Sequence, residues 1–293
     1  MRRLKGHRGD VQCLAFHPGG RILATGDDGG FVRIWDILTG ERLFVETLEG
    51  MLGAVAFSPC GNYLAAGTYD GQVSFCRINP ETGVVEEIED WAYQGRITSI
   101  AFSPDGMWLT WLSYSTLMRV EVQRTYQSQR REPSGDGFCI RYTPDGRLLA
   151  RTGLSPRVLF SDPDTLKERR RLTHGESSGC WSVAFTADGQ VMALGLGKGV
   201  QVWNLAERRM LKEFNEHKST VSSVAISPDA TRLLTAGYDN RVNLYAFSSS
   251  GTVGERIGSY FWRLGRLFEV GFTPDGTLAA AGGARGVVLW DVE

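Results

Sequence analysis

IAFSPDG, at residues 100–106, decides how the rest of the chain is read. An apolar run of β-formers ends at Phe102, and Ser-Pro-Asp-Gly follows at once. Pro presets φ, Asp bonds its own backbone, and Gly accepts positive φ, so the stretch predicts a strand running into a tight turn. The same pattern returns as LAFHPGG (14–20), VAFSPCG (55–61), IRYTPDG (140–146), VAFTADG (183–189), VAISPDA (224–230) and VGFTPDG (270–276). The seven copies start 40–46 residues apart. That period holds four short strands with their turns, which is the spacing of propeller blades.

Outward from each motif the pattern continues. A second strand follows, as in ILATG (22–26), YLAAG (63–67) and LLTAG (233–237). A third comes after a Gly/Asp turn, as in FVRIWD (31–36), GVQVWN (199–204) and GVVLWD (286–291), and a more polar fourth leads onward. The expected fold is all-β: a seven-bladed β-propeller of four-stranded antiparallel blades, one domain over residues 1–293. Residues 2–5 are expected to pair beside 286–291, so that an N-terminal strand completes the last blade.

Trp35-Asp36, Trp290-Asp291, the near-match Trp203-Asn204, and Gly6-His7 nine residues before Phe16 resemble the WD-repeat (β-transducin repeat) family. The resemblance implies a buried network in each blade, made of a His, a Ser/Thr, a turn Asp and the third-strand Trp. Blade six carries His217, Thr235 and Asp239, with Tyr245 in the Trp place. Blade one has His7, Thr25 and Trp35, but Gly29 stands where the Asp is expected. Blade two keeps Asp70 without the His, and Trp290 is the blade-seven member. Blades three and four match worst.

Composition narrows the function. With 32 Lys and Arg against 33 Asp and Glu, the basic excess of a phosphate-neutralising protein is missing. Specific nucleic-acid binding is therefore not expected. No apolar run reaches the length of a membrane span. The five cysteines stand at wide spacings without a CxxC pair, which reads as reduced core thiols and a cytoplasmic setting. His17 lies at the opposite end of its blade from His7 and His217, so no histidine metal centre is expected. Asp105, Asp145, Asp188, Asp229 and Asp275 occupy one turn position of different blades, too far apart to pair as an acid and base. No nucleophile motif and no phosphate loop at a helix start is present. The chain reads as a non-enzyme with no cofactor and no metal.

Recognition of other proteins or peptides remains, with the propeller a monomeric member of a complex. The resemblance implies that one propeller face receives peptides, and it points to Tyr69 and Tyr238, with Asp28, Trp91, Tyr93 and Lys218 nearby. Tyr and Trp at a rim supply contact area with a polar handle. Trp91 and Tyr93 equally suit packing between blades. A basic arc, Arg169, Arg170, Arg171, Arg208, Arg209 and Lys212, contrasts with acidic segments around Glu41–Glu49 and Glu86–Asp90 on the outer strands of blades one and two. It fits a partner with an acidic surface, although protection of open sheet edges needs only charge and is the favoured reading. The alternative reading is a propeller enzyme or small-ligand binder using the central channel, where the innermost strands offer only Arg141 and Glu269 as charges.

Overall fold

The computed structural model describes residues 1–79, 81–92, 95–113, 116–122, 129–133, 137–175 and 179–292. Among them are 28 strands and no helix, so no helix is long and apolar enough to cross a membrane. The strands form seven four-stranded antiparallel sheets. Blade one shows the plan, with β2 (Val11–Phe16) innermost, then β3 (Ile22–Asp27), β4 (Phe31–Asp36) and β5 (Arg42–Thr47) outermost. The repeated motif closes the turn between first and second strands, on what we term the lower face. In six copies a Gly takes the positive φ that this turn demands, as at Gly106 (φ 72°). Ala230 does the same in blade six at φ 53°, against the steric preference of a residue with a Cβ.

Buried apolar side chains among the described residues form seven clusters, and each lies between two neighbouring blades. Ile22, Ala24 and Ile34 of blade one, for example, meet Leu52, Leu64 and Ile78 of blade two. The innermost strands are also stitched sideways. Ser99, Ser182 and Ser223 each accept a hydrogen bond from a backbone N–H of the following blade, at Ile140, Val224 and Val270. Glu269 occupies the same strand position and accepts from Leu14 at 2.8 Å, joining blade seven to blade one.

The ring closes as its sequence suggests. β1 (Arg2–Leu4) pairs antiparallel with β28 (Gly286–Asp291), in register Arg2 with Leu289 and Leu4 with Val287. Leu4 is buried in the seam among Val11, Leu23, Trp35 and Val287. Arg2 donates to the carbonyl of Ile37 at 3.0 Å, so the strand also touches blade one.

The polar networks vary from blade to blade. In blade six the His217 ring bonds Asp239 at 3.0 Å and Thr235 at 2.8 Å. Asn243, not Tyr245, makes the third contact with the ring, at 3.3 Å; Tyr245 is buried against Phe214. In blade one the carboxylate missing at Gly29 comes from Asp27, two residues earlier. His7 bonds Asp27 at 2.6 Å and Thr25 at 2.7 Å, and the Trp35 indole N–H donates to Thr25 at 2.8 Å. Buried Arg33 adds a 2.6 Å ion pair to Asp27. Burial alone would raise the Asp27 carboxyl, but donors from His7, the Phe31 N–H and Arg33 hold it below its ordinary value.

Two network assignments need correction. Asp70 is exposed beside Gly50, because buried Leu48 fills the place that His7 and His217 occupy in their blades. Trp290 is buried without a hydrogen bond to its indole N–H, since Ala281 stands where Thr25 stands in blade one. It packs instead on Trp262 at 4.5 Å between centroids. In blade three the bulk has changed strands, with Trp111 in the Thr place and Val120 in the Trp place, both buried. The thiol reading also fails once. Cys13, Cys76, Cys139 and Cys180 are buried and free, but Cys60 is exposed, because it holds the Asp position of its turn.

Three expectations follow. Deleting residues 1–5 removes the edge pairing and the buried Leu4 side chain, so the melting temperature falls by several degrees. Hydrogen exchange then accelerates in Gly286–Asp291 more than in blade four; equal protection in both proteins contradicts this closure. His217→Ala leaves Asp239 and Thr235 short of a partner and lowers unfolding free energy by about 1–3 kcal/mol in urea titration; an unchanged midpoint refutes the structural role. Burial holds the His7 ring, with Arg33 adding to the effect, and the His17 ring below their ordinary value of 6.5. The unfolded chain therefore binds protons near pH 6.5 that the folded chain refuses, and stability declines as pH drops below that point. Melting temperatures from pH 8 to 5 check the sign.

Candidate functional site

The upper face is where first strands begin and second strands end. The residue four places before the end of each first strand lines the channel mouth there, and in blades four, five and seven it is Phe138, Trp181 and Phe268. Phe138 and Trp181 stack at 4.1 Å with ring planes 6° apart. Trp181 meets Tyr238 at 6.4 Å, and Tyr238 meets Phe268 edge-on at 5.7 Å. The four rings form a half-buried arc around one side of the mouth. Arg266 lies 5.7 Å from the Tyr238 ring centre, and Arg96 lies 3.6 Å over Tyr69. Tyr69 fits because Gly53 has no side chain: a Cβ there would stand 2.6 Å from the ring. Burial raises the Tyr238 hydroxyl above its ordinary value, and Tyr69 adds to the rise.

Tyr69 and Tyr238 thus stand at the mouth, and Lys218 is exposed on the same face with its backbone N–H bonded to Asp239. Asp28 accepts from the Asp10 N–H at 2.9 Å and so fastens the loop into β2. Trp91 is not a loop residue. It lies in the outermost strand of blade two, Val85–Ala92, stacked between Phe75 at 5.6 Å and Trp111 at 6.3 Å. Its ring fills the seam with blade three, where Trp111 supplies the facing surface. Tyr93 lies outside the described residues. Phe138, Trp181, Phe268, Arg96 and Arg266 escaped the sequence reading. The signal was available, because three aromatics recur four places before the first-strand end, where other blades carry Gln12, Gly53, Thr98 and Ser222.

The basic arc is largely closed by its own blades. Arg169 pairs with Asp162 at 2.7 Å, Arg171 with Glu168 at 2.6 Å, and Arg209 with Glu207 at 3.0 Å. Arg170 lies 4.7 Å from the centre of the Phe160 ring. Such exposed pairs contribute little to stability, yet they cancel much of the field an acidic partner would feel.

The turn carboxylates are engaged locally. Asp145, Asp188 and Asp229 each accept from the hydroxyl two residues earlier at 2.6 Å, and that bond holds each carboxyl low. Among the described residues no group of three His, Cys, Asp or Glu side chains is placed to hold a metal ion. His17 is locked between blades one and two, donating to the Gly61 carbonyl at 3.0 Å and accepting from the Gly19 N–H at 2.9 Å.

Inside the channel, Arg141 of blade four and Glu269 of blade seven approach to 3.5 Å. Burial raises the Glu269 carboxyl, while Arg141 and the Leu14 N–H oppose the rise. The pair lines both an upper space of about 100 Å³ and a lower chamber of about 530 Å³.

Comparison with known proteins agrees with this architecture. The family model described as "WD domain, G-beta repeat" matches residues 1–36, 44–75 and 208–245. Telomerase protein component 1 of Rattus norvegicus is 28% identical over 278 residues, covering 92% of this chain and 10% of that protein. Serine-threonine kinase receptor-associated protein of Homo sapiens is 21% identical over 286 residues, covering 97% of this chain and 67% of that protein. Transcription initiation factor TFIID subunit 5 of Caenorhabditis elegans is 35% identical over 99 residues, covering 33% of this chain and 15% of that protein. The chain spans about a tenth of the telomerase components it matches. With seven four-stranded blades and seven copies of the turn motif, the chain is a seven-bladed β-propeller similar to proteins of the WD-repeat family.

Proposed function

We propose that this propeller is a non-catalytic protein-interaction platform whose principal contact is the upper channel mouth. The observation that carries the reading is the half-buried arc Phe138–Trp181–Tyr238–Phe268, flanked by Arg96 and Arg266. Aromatic and Arg side chains held in place by their neighbours lose little entropy on binding and dominate hot spots. A preorganised aromatic floor with cations at its edge suits an extended peptide segment bearing an apolar anchor and an adjacent carboxylate. The names of two relatives, a "protein component" and a "receptor-associated protein", describe members of assemblies and agree with this reading. The self-paired rim arginines support a lesser role for the basic arc.

The test compares three baits in quantitative affinity purification with crosslinking: the wild type, Trp181→Ala/Tyr238→Ala, and the rim reversal Arg169→Glu/Arg171→Glu/Arg209→Glu. Truncating two hot-spot aromatics costs at least about 2 kcal/mol of binding, roughly thirtyfold in Kd. The face variant therefore loses crosslinked partners while melting within a few degrees of wild type, and the rim variant keeps them. An unchanged partner set in the face variant refutes the proposal, and loss confined to the rim variant moves the interface to the arc.

A further inference from the structure

The lower chamber shares no lining residue with the upper aromatic arc. Six of the seven innermost strands end in an aromatic, and all six line it: Phe16, Phe57, Phe102, Tyr142, Phe185 and Phe272. Aliphatic side chains and turn prolines complete the wall. Among the lining residues only Arg141 and Glu269 carry charge, and they sit together at the inner end, where the channel narrows. A volume of about 530 Å³ falls within the roughly 300–1,000 Å³ of small-molecule sites, which join apolar walls to a few convergent polar groups.

The charged end has a definite polarity. Glu269 commits Oε2 to the Leu14 N–H, and Oε1 faces Arg141. At 3.5 Å that contact is looser than the roughly 2.7–2.9 Å of a tight charge-assisted bond. The Arg141 side chain keeps 43% of its surface open although it lies inside the ring, because it opens on the channel. A ligand bearing only negative charge meets Glu269, and one bearing only positive charge meets Arg141. A group carrying both signs on adjacent atoms satisfies each without leaving either charge unpaired in an apolar chamber.

We propose that the lower chamber binds a free α-amino acid with an aromatic or branched apolar side chain. Its carboxylate sits on Arg141, its ammonium on Glu269 Oε1, and its side chain against the apolar wall of the chamber. The site is independent of the peptide-binding reading of the upper face, and either can fail alone.

The experiment is ligand-observed NMR followed by calorimetry on the full chain. The probes are L-phenylalanine, L-leucine, 3-phenylpropanoate, 2-phenylethylamine and N-acetyl-L-phenylalanine. At least one of the two amino acids binds, and each one-charge analogue of phenylalanine binds at least tenfold more weakly than the parent. Arg141→Met and Glu269→Gln each weaken binding at least tenfold, and Arg141→Lys restores part of it. Glu269→Gln keeps an acceptor for the Leu14 N–H, and melting temperatures confirm that each variant is folded. A second, space-filling variant, Ala56→Phe, abolishes binding without touching either charge. The proposal is overturned if neither amino acid binds at millimolar concentration, if one-charge analogues bind as tightly as the parent, or if the folded charge variants retain wild-type affinity.

Discussion

The apolar surface of this protein is buried between sheets and not around a central core, and that places one constraint above the others: the ring must close. Each blade covers one side of its neighbour, so an open ring would leave two sheet faces bare. The chain meets the constraint at the seam of blades seven and one with three different contacts. Leu4 enters the apolar cluster, β1 supplies the missing edge of β28, and Glu269 takes up the Leu14 N–H. At other seams a serine suffices for that last bond. A glutamate does it here and leaves one oxygen over, which is why a carboxylate stands in the channel beside Arg141.

The buried polar networks are secondary to that packing. Blade six has a His–Asp–Thr arrangement, blade one a version with Arg33 added, and blade two an apolar Leu48 in place of the histidine. Blade three reverses the sizes of two facing residues. All of these blades make the same four strands with the same pairing. A fully satisfied network adds local stability and fixes loop geometry, while an apolar substitute such as Leu48 removes a donor and an acceptor together and keeps the packing. Repeats diverge safely along this route provided that volume is kept.

The same logic explains what could be read from the sequence. The seven turns were legible because Pro-Asp-Gly chemistry acts within four residues, and the closing strand was legible because an incomplete blade demands one. The Asp27 substitution was not, since a carboxylate two residues out of place reaches His7 only through the three-dimensional course of the turn. Trp91 was ambiguous because an aromatic near a strand end serves a seam or a surface equally well, and the deciding neighbour, Trp111, is twenty residues away in another blade. The basic arc was overread, for charge counting along one strand omits the carboxylates at 162, 168 and 207 that close it.

The mouth residues were missed for a related reason. Alternation along a first strand marks which side chains enter a seam, and the remaining positions look interchangeable in sequence. The ring makes them unequal, because it brings the residues four places before the ends of all seven first strands to one opening. Three aromatics there are unremarkable one by one, yet they become a continuous surface once blades four to seven stand side by side. The same convergence at the other end gathers six strand-terminal aromatics around Arg141 and Glu269. A propeller thus turns a weak linear repeat into two dissimilar sites at opposite ends of one axis. Their chemistry differs because the mouth residue and the last residue of each first strand vary independently of the turn that fixes the fold.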